Sequence, residues 1–261
     1  MSLKGKSALV TGSTSGIGQA IAEAFAAEGC NIMLNGFGDA TEIGKIKDEV
    51  AKTHGVKTAY SPADISKPAD IRKMVADTIE AFGSVDILIN NAGIQFTANT
   101  EDFPDEKWDA IIAINLSGAF HGAKAVLPHF KKQGWGRIIN IASAHGLVGS
   151  THKVAYVAAK HGIVGMSKVI ALETANDGIT CNAICPGWVL TPLVEKQISD
   201  RAKANGTTVQ QETDALLGEK QPMHKFSTPE GLGGLAVFLC SDLGQTVTGQ
   251  AWAMDGGWTA Q

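Results

Sequence analysis

Short apolar runs alternate with longer stretches whose apolar residues recur at helical spacing over most of the chain. The runs Ala8–Val10, Asn31–Asn35, Thr58–Tyr60, Ile87–Asn90, Ile138–Ile141, Thr180–Ile184 and Ala251–Met254 have the length and apolar character of buried strands. Between them, Ile17, Ala20, Ile21, Ala24 and Phe25 form one helical stripe, and Ile71, Val75 and Ile79 another. Strands separated by helices of this length need crossover connections. They predict an α/β fold: a single-domain, doubly wound Rossmann-type parallel sheet with helices on both faces and ligands at the carboxyl ends of the strands. One stretch interrupts the alternation. From Thr191 to Phe226 the chain is polar apart from a short helical piece near Leu216 and Leu217. Its departure from a strand's carboxyl end favours a substrate lid at 191–226 over a solvated loop or an oligomer contact.

The Gly-rich segment Thr11-Gly12-Ser13-Thr14-Ser15-Gly16-Ile17-Gly18 lies between the first strand and the first helix. Glycines there let backbone approach a pyrophosphate, and the helix start directs free N–H groups at it. The spacing is G-x3-G-x-G rather than the commoner G-x-G-x-x-G, and any strand–helix turn can be glycine-rich. Position after the first strand carries the assignment. After the second strand comes Asn35-Gly36-Phe37-Gly38-Asp39, with no Lys or Arg there or in the glycine loop to pair a 2′-phosphate. NAD is therefore expected over NADP, with Phe37 against the adenosine and Asp64, beside Ile65, receiving the adenine amino group.

Beyond the fourth and fifth strands stand Asn90-Asn91-Ala92-Gly93 and Ile141-Ala142-Ser143, followed by Tyr156-Val157-Ala158-Ala159-Lys160. Residues four apart share a helix face, so Tyr156 and Lys160 project together. A phenol titrates near 10, and a neighbouring ammonium favours its ionised form. Ser143 would orient an alcohol, and Asn115 would hold a water between Lys160 and solvent. Taken alone, Tyr-x3-Lys is an ordinary helical pair.

The glycine loop, Asn-Asn-Ala-Gly, Ser143, Tyr-x3-Lys and Pro186-Gly187, in this order, resemble the short-chain dehydrogenase/reductase family over essentially the whole chain. The resemblance implies a seven-stranded sheet, a catalytic set of Asn115, Ser143, Tyr156 and Lys160, and commonly a homotetramer. It also implies that Lys160 bonds the nicotinamide ribose, with Asn91, Pro186, Val189 and Thr191 near the ribose and carboxamide. Outside that shared set, Gln95, His145, Lys153 and Gln197 are suited to a carboxylate, and Trp188 and Trp258 to walling a small pocket. Each also has a bland reading as a cap, a solvated charge or packing. The strings Leu34–Gly38, Ile139–Leu147, Cys185–Val189 and Pro192–Gln197 are similar to bacterial D-3-hydroxybutyrate dehydrogenases within the family. That similarity implies NAD as cofactor and a carboxylate held by Gln95, His145, Lys153 and Gln197. Phe96 and Leu190 depart from it, where a histidine and an arginine are common, and bear on the pocket rim or lid.

Composition narrows the field further. With 261 residues, 44% of them hydrophobic and 18% charged, a sizeable core is affordable. The net charge of -4 offers no basic patch for nucleic acid. Cys30, Cys181, Cys185 and Cys240 lie in apolar stretches, and the C-x3-C spacing lacks a second pair for a metal, so no metal is expected. Free thiols suit a reducing compartment. The start MSLKGKSALV has no signal-peptide segment and no run approaches the ~18 apolar residues of a membrane span. These features lead to an expectation of a cytoplasmic enzyme without a membrane partner. Three functions follow: NAD-dependent oxidation of a short hydroxy acid, NADPH-dependent reduction of a 3-oxoacyl thioester or other ketone, and a dinucleotide sensor without turnover. The sensor has no use for Ser143, Tyr156 and Lys160 together.

Overall fold

Side-chain alternation along each strand sends apolar groups to both faces, so the sheet must be covered on both sides. The computed structural model, which describes residues 3–261, builds this as seven strands. They are β1 (Ser7–Val10), β2 (Asn31–Asn35), β3 (Thr58–Ser61), β4 (Ile87–Asn90), β5 (Gly136–Ile141), β6 (Ile179–Pro186) and β7 (Ala251–Met254). All pair in parallel, in the order β3-β2-β1-β4-β5-β6-β7. The order reverses between β1 and β4, which opens a crevice at their carboxyl ends. Every predicted strand is present. β5 begins two residues earlier than its apolar run because Arg137 is accommodated in the sheet, where its Nη1 donates to the carbonyls of Gly136 and Gly178.

Three helices cover one face: α1 (Gly16–Ala27), α2 (Ala40–His54) and α9 (Pro229–Cys240). Ile21, Phe25, Val50, Leu232 and Ala236 pack there with Val10, Leu34, Ile89 and Ile139. On the other face, Ile71, Met74 and Val75 of α3 (Pro68–Phe82), Val126 and Phe130 of α5 (Gly118–Gln133), and Ile170 of α6 (Val154–Glu173) pack on Leu9, Met33, Leu88 and Ile138. Each such fully buried side chain contributes roughly 1.5–3 kcal/mol. Local signals set the helix ends. Asp39 accepts from the N–H groups of Thr41 and Glu42, Pro68 and Pro229 open their helices, and Gly55, Gly83 and Gly134 close theirs in left-handed conformation.

α4 (Asp105–Ile111) runs through a π-helical turn (Ile112–Ser117) into α5, making one helix of 29 residues. By length and composition this helix is apolar enough to cross a membrane, although its apolar residues are interrupted by polar ones. Its apolar residues are used in the fold: Gly118, Ala119, Gly122, Ala123, Val126 and Phe130 are buried. Gly122 lies where an added Cβ would meet the Asn90 side chain.

The polar segment after β6 is more ordered than its composition implied. In place of a short helical piece it forms two helices, α7 (Pro192–Asn205) and α8 (Val209–Gly218). Thr191 caps the first, and Thr208 and Gln211 form a reciprocal capping box on the second. The buried Glu212 carboxylate accepts from Asn205 and Thr207 and pairs with Arg201 at 3.1 Å, tying the two together.

Candidate active site

The first turn of α1 begins at the crevice between β1 and β4. Ser15 precedes it in extended geometry without a side-chain bond to the first-turn N–H groups, and that turn has no acidic residue. The three glycines serve different needs. Gly12 (φ +63°) and Gly18 pack closely on the Asn91 side chain, which donates to the carbonyls of Thr11 and Gly12. Gly16 (φ +55°) requires the left-handed conformation but faces open space, with Thr191 no nearer than 3.6 Å. An uncapped helix start beside an open glycine is suited to a diphosphate.

A cavity of about 280 Å³ extends from Gly12, Thr14 and Ser15 past Phe37, Asp64 and Ile65 to Asn91. Asn35 organises its floor: Oδ1 accepts from the Gly12 N–H, and Nδ2 donates to the carbonyls of Ser61 and Ala63. Phe37 is 70% exposed on its rim. Asp39, the acid nearest the end of β2, is occupied in capping α2. Asp64 lines the cavity, and its carboxylate is held below its ordinary pKa by hydrogen bonds from Ser66 and by Lys67 at 3.3 Å. The cavity lining contains no lysine or arginine.

A second cavity, of about 330 Å³, shares Asn91, Gly93 and Ile94 with the first. Ser143 lies at the end of β5, while Tyr156 and Lys160 occupy the first turns of α6, and all three line this cavity. The Lys160 ammonium lies 5.4 Å from the Tyr156 ring centroid and donates to the Ile141 carbonyl at 2.7 Å. Burial lowers its pKa to about 8, with a smaller opposing pull from Cys185. Burial also raises that of Tyr156, against the hydrogen bond from Ser143. Ile17, Gln95, Pro186, Val189, Thr191 and Gln197 complete the lining with Trp188.

Asn115 is placed differently from the rest of its predicted set. It lies in the π-helical turn, and its side chain both accepts from and donates to the Ile94 backbone, at 2.8 and 2.9 Å. It fixes the loop after β4, and it is not among the residues lining the cavity. π-Turns recur at functional sites.

The predicted carboxylate residues divide between two spaces. Gln95 and Gln197 face the catalytic cavity, whereas His145 and Lys153 line an adjacent cavity of about 520 Å³ together with Trp258. Trp188 lines both and forms the partition. His145 packs edge-on against Trp258 at 5.0 Å and Tyr156 at 6.1 Å, so the spaces meet at that ring. Its Nε2 lies 3.4 Å from Lys153 Nζ, and its buried Nδ1 has no partner. Burial, then the charges of Lys153 and Lys220, lower the pKa of His145 to about 4. Burial and Lys220 lower that of Lys153. Phe96 packs on Phe103 in a side cluster, Leu190 is exposed, and neither lines these two cavities.

A family model described as Enoyl-(Acyl carrier protein) reductase matches residues 12–259. The chain is 58% identical over 260 residues to the D-beta-hydroxybutyrate dehydrogenase of Cupriavidus necator, spanning 99% of this chain and 100% of that one. It is 54% identical to the enzyme of the same name from Rhizobium meliloti, over 98% and 99% of the two chains. The chain belongs to the short-chain dehydrogenase/reductase family. It is an oxidoreductase, and the family works with a nicotinamide cofactor. A solved L-sorbose reductase from Gluconobacter frateurii, complexed with NADPH and L-sorbose, superposes with a TM-score of 0.95 at 32% identity, with full coverage of both chains.

Two positioning residues of this short-chain dehydrogenase escaped the sequence reading. Gln221, 1% exposed, accepts from the Trp188 N–H at 2.6 Å and donates to the Lys225 carbonyl, which holds the partition. A glutamine in a polar stretch gives no sign of burial. Ser227 bridges back to Val189 and Leu190, stitching the two ends of the α7–α8 insert together. Cys30, Cys181, Cys185 and Cys240 are free and buried, and Cys181 and Cys185 lie along β6. Burial pushes the thiols of Cys30 and Cys181 up to about 12 and that of Cys185 to about 11. No group of three or more His, Cys, Asp or Glu converges among the described residues.

Proposed function

We propose that this chain catalyses the reversible, NAD-dependent oxidation of D-3-hydroxybutyrate to acetoacetate. The observation that carries the reading is the meeting of two environments at Trp188 and His145. On one side is a serine–tyrosine–lysine cavity continuous with the dinucleotide crevice, and on the other a cavity with two lysines and a buried imidazole. A hydroxyl near Tyr156 and a carboxylate toward Lys153 are a short hydroxy acid's two polar ends. The names of the Cupriavidus and Rhizobium relatives support the same substrate.

Gly12, Thr14, Ser15, Gly16, Ile17 and Gly18 would hold the diphosphate, Phe37, Asp64 and Ile65 the adenosine, and Asn91, Pro186, Val189 and Thr191 the nicotinamide ribose and carboxamide. The bound cofactor supplies the hydride acceptor. Tyr156 takes the substrate hydroxyl proton, and Ser143 orients that oxygen and donates to it as it becomes a carbonyl. Lys160, which donates to the Ile141 carbonyl, would hold the nicotinamide ribose, and its charge would favour the phenolate. Asn115 holds the loop from which Gln95 reaches the substrate. The lining of the adenosine cavity holds no lysine or arginine, and the nearby Lys67 is paired with Asp64, which favours NAD over NADP.

The α7–α8 insert acts as the lid, carrying Gln197. The enzyme works in the cytoplasm as a homotetramer, without a metal, and apolar Phe120, Val169 and Leu172 on α5 and α6 present a face for a second copy. Absorbance at the reduced-nicotinamide band, with each enantiomer of 3-hydroxybutyrate and either NAD or NADP, tests the reading. Turnover is expected with the D form and NAD. Turnover of a 3-oxoacyl thioester with NADPH, and none of the hydroxy acid, would replace it by the reductase.

A further inference from the structure

Lys220 follows the end of α8 and is one of the basic residues lining the side cavity with Lys153 and His145. No carboxylate is paired with either lysine among the described residues. Lys153 lies 3.4 Å from the His145 ring nitrogen and 5.6 Å from the centre of the Trp188 ring. Glu219, the acid in the cavity wall, lies 3.9 Å from Arg201. Lys220 lies close enough to both Lys153 and His145 to disfavour their protonation. The buried Nδ1 of His145 is left without a partner in the same wall. Uncompensated positive charge in a recess attracts an anion and gains strength as water is excluded.

The backbone of Lys220 is held in place. Its N–H donates to the Leu217 carbonyl, its carbonyl accepts from Gln261, and the next residue is the buried Gln221 that holds Trp188. The side chain is exposed and can swing onto a ligand.

We infer that Lys220 is a second cationic ligand for the substrate carboxylate, supplied by the α7–α8 insert to the site that Lys153 and the neutral His145 ring build on the core. This inference rests on the hydroxy-acid reading above and deepens it. A carboxylate bound there joins insert to core through Lys220 and Lys153, so substrate charge itself stabilises the closed lid.

The test compares wild type, Lys220→Met and Lys220→Arg on D-3-hydroxybutyrate and on its uncharged methyl ester. NAD affinity serves as the check on folding. Lys220→Met keeps the side-chain stem and loses the charge. It is expected to raise the KM for the acid about tenfold, the scale of one charge-assisted hydrogen bond, with kcat within about twofold and the KM for the ester unchanged. Lys220→Arg is expected to restore the acid's KM. An unchanged KM for the acid, or equal losses on acid and ester, would overturn the inference while leaving the enzyme a hydroxybutyrate dehydrogenase. Should wild type fail to oxidise the acid, the functional reading falls and acetate binding, followed by the fluorescence of Trp188 and Trp258, decides the point about Lys220. Weaker acetate binding by Lys220→Met upholds the anion site, and equal binding removes it.

Discussion

Tyr156 and Lys160 are both buried in a site that must handle a proton, and burial acts on them in opposite senses. It raises the phenol and lowers the ammonium, so burial disfavours the charged form of each, although Lys160, at about 8, still carries its proton near neutral pH. A bound oxidised nicotinamide would add a positive charge beside Tyr156 and favour its phenolate. Tyr156→Phe retains the ring against His145 and removes the proposed proton acceptor. It is expected to lower kcat about 10²–10⁴-fold with NAD binding within about twofold, read by steady-state kinetics and a fluorescence titration. Lys160 carries a stability cost that pH exposes. Its folded value of about 8 lies below the ordinary 10.5, so the fold disfavours the protonated amine. The penalty is complete below pH 8 and fades as pH rises toward 10.5. Lys160→Met removes it, so urea melts should show the variant's stability relative to wild type falling by about 2 kcal/mol between pH 7 and pH 10. A pH-independent difference would mean the amine is better solvated than its surroundings indicate.

Among elements, the turn from β1 into α1 shows how packing and ligand approach divide one glycine motif. Gly18 is helical, where alanine is ordinarily favoured by about 1 kcal/mol. Its Cα faces the Gly12 carbonyl and the Asn91 amide, both within the reach of an added Cβ. Gly18→Ala is therefore expected to destabilise by about 1–3 kcal/mol and to weaken NAD binding at least about tenfold, by thermal melts and titration. A more stable variant would mean that the loop shifts freely and the close fit is incidental. The α7–α8 insert illustrates the opposite lesson. Its polar sequence resembles a loop because its helices cover a cavity rather than a core, and the caps at Thr191 and Thr208 reveal its helical character better than any apolar stripe.

At the scale of the molecule, the long helix through Asn115 and α6 beside it leave an apolar face open. Leu172 is 80% exposed there, Val169 54% and Phe120 46%. These residues are the basis for proposing a contact with a second copy there. Leu172→Glu would introduce a charge on each copy of that face. Light scattering after size exclusion is expected to show smaller assemblies than wild type, with an unchanged far-ultraviolet spectrum. A variant that elutes with the wild-type mass would assign the contact to another face.

By itself the sequence determined the strand–helix alternation, and with it the parallel sheet, because short β-branched runs between amphipathic stripes admit few other arrangements. Helix geometry put Tyr156 and Lys160 on one face wherever the helix lies, and the resemblance to the family joined Ser143 to them. The tertiary structure alone decided what those residues face. Arg137 enters a strand because carbonyls from two elements receive it, Asn115 serves the Ile94 backbone across the crevice, and Gln221 is buried beneath Trp188. The division of His145 and Lys153 from Gln95 and Gln197 by a single indole is likewise invisible along the chain. Burial and the sharing of polar partners are set by residues distant in sequence, and local spacing holds no record of them.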